Sequence, residues 1–143
     1  MKPLFLFSIT LFIFSLFSCS KDKKVDSGYY PQNWQLVKMT GQIPNSEVSG
    51  QAMEWQESYQ LNSDGTFTKS RKKNGSVTEA TGTFAFSDSQ EGKFLILTYP
   101  EKNDIIGSCY AEPSEQLWLK SEDKLLGTWS YCDGPGLEYK RIK

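Results

Sequence analysis

The 143-residue chain contains no histidine. That excludes every Ser-His or Cys-His nucleophile and every zinc site built on imidazole. An excess of positive charge is lacking too. Sixteen basic residues face seventeen acidic ones, so there is no basic surplus of the kind a nucleic-acid partner requires. The acids are scattered: Glu54, Glu57, Glu79, Glu112, Glu115 and Glu138 form no sequence-local pair, and a catalytic carboxylate pair would have to be assembled across strands. Ser108 sits in Gly107-Ser108-Cys109, without a nucleophile elbow or a histidine partner. Asn62-Ser63-Asp64-Gly65 begins like a calcium loop, but Arg71 stands where the closing glutamate belongs, so it reads as a turn. These absences lead to the expectation of no enzymatic activity, no cofactor and no metal.

Long apolar runs are absent apart from one, residues 4–17. At ~1.5 Å per residue those 14 residues make a helix of about 21 Å, short of the ~30 Å hydrocarbon core of a bilayer. With Lys2 before it, the run has the layout of a signal peptide. It ends in Leu16-Phe17-Ser18-Cys19, which resembles the signal box of bacterial lipoproteins. The resemblance implies removal of residues 1–18, lipidation of Cys19, a membrane partner through that lipid, and a place in the cell envelope on the outer membrane. An ordinary secretory signal cut nearby is the alternative. Residues 19–32 then form a tether. Its Lys21, Lys23 and Lys24 lie against anionic headgroups or simply in water. With Cys19 lipidated, Cys109 and Cys132 remain as an even pair outside the cytoplasm. There a disulfide is expected over two buried thiols, stabilising by about 3.4 kcal/mol in the loop-entropy model.

From Asn33 onward no helical period outlasts a single turn. Short β-prone runs alternate with turn dipeptides. In residues 53–61, Met53, Trp55, Tyr59 and Leu61 share one face, interrupted by Glu57. Turns are expected at Asp64-Gly65 and at Asn74-Gly75, where the tripeptide Asn74-Gly75-Ser76 also matches a glycosylation sequon. Lys69, Arg71, Lys72 and Lys73 lie near the second turn and read as a solvated tip or as a patch for an anionic partner. Ala80, Gly82, Phe84 and Phe86 fall on one face, the glycine marking a bend or a close strand approach. Residues 94–99 are apolar on both faces and should be the most enclosed strand. Residues 103–113 are either a short strand or an ordered loop. Eight or nine short antiparallel strands with local connections predict an all-β, up-and-down barrel over residues 33–143, with a two-sheet sandwich second.

Residues 53–59, the Asp64-Gly65-Thr66-Phe67-Thr68-Lys69-Ser70-Arg71 stretch, Gly82-Thr83-Phe84 and the closing Tyr139-Lys140-Arg141 resemble the lipocalin-like lipoproteins, small bacterial envelope barrels. The resemblance implies a lipocalin-like barrel with Trp34 and Arg141 packed together at its base, the cation on the ring. Trp34 lacks the glycine two residues earlier that opens lipocalins proper. The resemblance also implies a lid after the first strand, here residues 40–52, with Ile43 and Val48 as lid contacts. Aromatics make up 14% of the chain, enough to line a calyx for a small apolar or amphipathic ligand. Trp55, Tyr59, Phe67, Phe84, Phe86 and Tyr99 are the candidate wall. An eight-stranded barrel is also narrow enough for side chains to fill it. The competing expectation is therefore a filled barrel acting through its surface as an interaction or inhibitor module.

Overall fold

The structure, a computed structural model, describes residues 28–143. The expected leader, Cys19 and most of the tether lie outside the described residues. Nine strands form one antiparallel sheet: β1 (Gln32–Thr40), β2 (Val48–Ser49), β3 (Gln56–Leu61), β4 (Thr66–Lys73), β5 (Ser76–Ser89), β6 (Gly92–Thr98), β7 (Ser114–Ser121), β8 (Lys124–Gly127) and β9 (Gly136–Ile142). Each strand from β3 onward pairs with the next, and β9 returns to β1 with Trp34 opposite Arg141 and Leu36 opposite Tyr139. The chain is an up-and-down barrel of eight strands plus the short β2. Closure of β9 on β1 removes the long sheet edges that an open sheet would present.

β2 begins the return beside β1, with Met39 opposite Val48. Pairing then lapses over residues 50–55, through a 3-10 turn at Gly50–Ala52, and resumes as β3 with Gln35 opposite Ser58. The run over 53–61 is thus a strand only from Gln56, although Met53 and Trp55 are buried in the loop before it. Residues 103–113 are an ordered loop without a strand, which settles that alternative.

Turn chemistry agrees with the backbone. Asn74 (φ 52°) and Gly75 (φ 82°) both adopt the left-handed conformation that a two-residue hairpin turn matched to strand twist demands. In β5, Gly82 is where β4 and β6 close in. A Cβ there would run into the Thr98 carbonyl oxygen and stand 2.8 Å from the Phe67 ring, so only glycine permits the approach. Leu95, Leu97 and Tyr99 of the β6 segment point into the core, while Phe94, on the other face, is also buried and stacks on Trp118 at 6.1 Å.

Strand direction sorts the connections into two ends. The turns after β3, β5 and β7 gather at the end where the described chain enters and leaves. The opposite, loop end gathers residues 41–55, the Asn74-Gly75 turn, 99–113 and 128–135. Cys109 and Cys132 stand at disulfide-bonding distance and join two of these loops.

Candidate functional site

Alternation along the strands decides what enters the barrel. On β3 the inward positions are Glu57, Tyr59 and Leu61; on β4 they are Phe67, Lys69 and Arg71. Register sets Glu57 opposite Arg71 and Tyr59 opposite Lys69. From across the barrel come Glu115 of β7, Tyr139 of β9 and Tyr99, just past β6.

The result is a buried ionic cluster. Lys69 is fully buried and Glu57 and Glu115 are each 3% exposed. Lys69 Nζ donates to Glu115 Oε1 at 2.6 Å, lies 3.2 Å from Glu57 Oε1, and donates to the Ile105 carbonyl at 2.5 Å. Arg71 donates through Nε to Glu57 Oε2 and through Nη2 to the same Ile105 carbonyl at 3.0 Å. Its guanidinium lies 4.4 Å from the centre of the Trp55 ring. Tyr59 and Tyr99 donate to Glu115 Oε2 at 2.8 and 2.6 Å, and Tyr139 donates to Glu57 Oε1 at 2.5 Å. The Gly107 amide completes the shell of Glu115.

Two carboxylates thus meet two cations, and the set balances to zero. Burying four charges costs several kcal/mol per ion unless each is paired and hydrogen-bonded; here each has at least two partners. Burial pushes the Tyr59, Tyr99 and Tyr139 hydroxyls well above the ordinary tyrosine range, and the neighbouring carboxylates push the same way. All three therefore act as proton donors that stay neutral. The loop end is part of the arrangement. The Ile105 carbonyl and Gly107 amide reach the cluster from the 103–113 loop, and the Cys109–Cys132 link fastens that loop to the segment after β8.

Of the candidate wall residues, Trp55, Tyr59, Phe67 and Tyr99 belong to one buried cluster, with Phe84 and Phe86 packed against it. The Phe67 ring lies 5.0 Å from Tyr99 and 6.5 Å from Tyr59. Phe84 and Phe86 pack on each other at 6.1 Å and are only half buried on β5. Trp55 lies against Arg71 at the loop end. Ile43 is 71% exposed and Val48 36% exposed, so neither packs on the interior as a lid would. It is residues 103–107 that close over the charges. Trp34 and Arg141 are cross-strand partners, but their polar contacts diverge. Trp34 Nε1 donates to Gln32 Oε1, and Arg141 Nη2 donates to the Tyr29 carbonyl.

Sequence reasoning missed the cluster itself. Lys69 and Arg71, read as part of a solvated tip, are 0% and 8% exposed. The signal was their parity with Phe67: three inward positions in a row, opposite a strand whose apolar face Glu57 had already broken. Glu115 gave no such signal.

Among the described residues, cavities also open elsewhere. One of about 220 Å³ lies on the outer face, among Lys38, Trp118, Leu126 and Tyr131. Another, of about 570 Å³, lies at the entry end beside Tyr29 and Arg141. Comparison with family models, curated proteins and solved structures found no match to this chain.

Proposed function

We propose that the protein is a lipid-anchored, non-catalytic barrel of the cell envelope that works through its surface as an interaction module. In this reading its interior is filled and holds no small apolar ligand. The Glu57–Lys69–Glu115–Arg71 cluster carries the reading. An apolar guest would have to displace it, leaving ions unpaired at a cost of several kcal/mol each. A calyx for apolar molecules needs the opposite lining, predominantly apolar with a few polar groups.

Three observations support the anchor. Leu16-Phe17-Ser18-Cys19 has the residues of a lipidation box, and the pairing of Cys109 with Cys132 leaves Cys19 as the one remaining thiol. The chain also enters the barrel at the end opposite the linked loops. Nine positions separate Cys19 from Gly28, a reach of about 30 Å when extended. An anchored barrel would present its loop end away from the membrane, with Ile43, Tyr110 and Tyr131, all more than half exposed, as the contact residues.

The test is a titration of the unlipidated chain from Ser20 with fatty acids, retinoids and haem, following tryptophan fluorescence. The expected result is no saturable change. Saturable binding that is lost on substituting Tyr59 or Phe67 would restore the calyx. Labelled palmitate entering the wild-type chain but not Cys19→Ser tests the anchor separately.

A further inference from the structure

β5 is longer than the strand that follows it. β4 pairs with it over residues 76–83, but β6 joins it only from Thr83 onward. Residues 76–81 therefore have a strand partner on one side alone. One bond shows which way their main-chain groups point: the Phe84 amide donates to the Gly65 carbonyl at 2.8 Å, toward β4. Alternation then aims the amides and carbonyls of Val77, Glu79 and Thr81 away from β4, at the open side. Among the described residues, no loop or turn supplies them with a backbone partner. Their side chains meet solvent too: Val77 is 58% exposed, and Glu79 and Thr81 are also exposed. An open ladder of this kind is a template for a further strand.

The charges beside this edge select the strand that fits it. On the β4 side, Lys72 stands opposite Val77 and Ser70 opposite Glu79. Lys72 and Glu79 are both exposed, and neither enters an ion pair among the described residues. A second copy of the edge can lie antiparallel to the first in more than one register. With Glu79 facing the partner's Glu79, like charges collide. With Val77 facing the partner's Glu79, the two-fold axis passes through Thr78, and threonine meets threonine, a favourable cross-strand pair. Lys72 and the partner's Glu79 then share the outer face, two strand spacings or about 10 Å apart. Only Val77 stands between them, and the two long side chains reach over it. Symmetry makes the contact twice. Each Val77–Glu79 pair also exchanges two main-chain hydrogen bonds.

We propose that the free half of β5 is a self-association edge. Two copies of the chain pair antiparallel about Thr78, with Lys72 of each on Glu79 of the other. The proposal rests on the reading of the barrel as a surface-acting module and supplies its partner, a second copy. The free half adjoins the Asn74-Gly75 turn, at the loop end. Antiparallel pairing therefore sets loop end beside loop end and turns the two chain entries in opposite directions. Anchored copies would meet across two facing membrane surfaces, not as neighbours on one. A single strand pair is at the small end of protein interfaces, so free chains should associate weakly, on the order of 0.1 mM. Many copies on one surface would strengthen the contact.

The experiment is sedimentation equilibrium of the full chain in density-matched detergent, with micelles in excess, over a range of concentrations. A reversible monomer–dimer equilibrium is expected. Lys72→Glu and Glu79→Lys lie in solvent, and each alone should weaken dimerisation at least tenfold. An equimolar mixture of the two variants should recover it, because every contact then joins opposite charges. Val77→Pro removes an amide aimed at the open side, a position where a strand tolerates proline, and should abolish the dimer. A chain that stays monomeric to about 1 mM, a dimer indifferent to both charge reversals, or a mixture no tighter than the single variants overturns the proposal. So does a monomer that instead takes up an extended peptide along β5. If Val77→Pro does not fold, the charge variants decide it. The interior ligand titration tests the surface-module reading separately: saturable binding there ends that reading and leaves the dimer to be measured.

Discussion

Tyr59, Tyr99 and Tyr139 each direct a hydroxyl proton at a buried carboxylate, which makes them sensors of the interior. Their ionisation is raised by burial first and by Glu57 and Glu115 second. The unfolded chain ionises its tyrosines near pH 10, whereas the folded chain keeps these three protonated well beyond that. The stability this contributes is fully present below about pH 10 and is lost as pH rises further, because only the unfolded state releases the protons. In an absorbance titration at alkaline pH, the three interior tyrosines should ionise only with cooperative unfolding. Independent titration of all of them near pH 10 would mean that water reaches the interior.

Among the elements, β5 and the 103–113 loop do the most particular work. Gly82 lets β5 lie against the Thr98 carbonyl and the Phe67 ring. Gly82→Ala should therefore overpack the barrel wall and cost roughly 3 kcal/mol, read from the denaturation midpoint. A loss under about 0.5 kcal/mol would show that the strands can part at no cost. The loop holds the cluster through Ile105 and Gly107 and is itself held by Cys109–Cys132. Replacing both cysteines by serine should cost about 3 kcal/mol in the loop-entropy model. Hydrogen exchange should accelerate first at the Gly107 amide, ahead of the strand amides. Uniform acceleration across the barrel would deny the loop its role as a separately fastened plug.

For the molecule as a whole, the barrel was legible because its information is local. Alternation, the Asp64-Gly65 and Asn74-Gly75 turns and the doubly apolar 94–99 run each declare their place within a few residues. Gly82 was legible for the same reason. The ionic interior was not, because it is assembled from three strands and a loop. Lys69 and Glu115 are 46 positions apart, and nothing in the sequence brings β7 across to β4. Lysine near a hairpin is ordinarily a surface residue, so propensity argued the wrong way for Lys69 and Arg71. The lid was misplaced for a related reason. The resemblance drew attention to 40–52, whereas the covering loop is the one whose backbone groups the buried charges need.

The central claim is that these charges form a closed, filled interior, and a double-mutant cycle on Lys69 and Glu115 tests it most directly. In a closed interior, Lys69→Met or Glu115→Gln alone strands a buried partner and should cost about 3–5 kcal/mol. The double variant should cost clearly less than the two together, with a coupling of about 2 kcal/mol or more. Chemical denaturation of the four chains gives all the terms. Single losses under about 1 kcal/mol that simply add, as for a solvent-exposed pair, would contradict the account and return the barrel to an open, water-filled calyx.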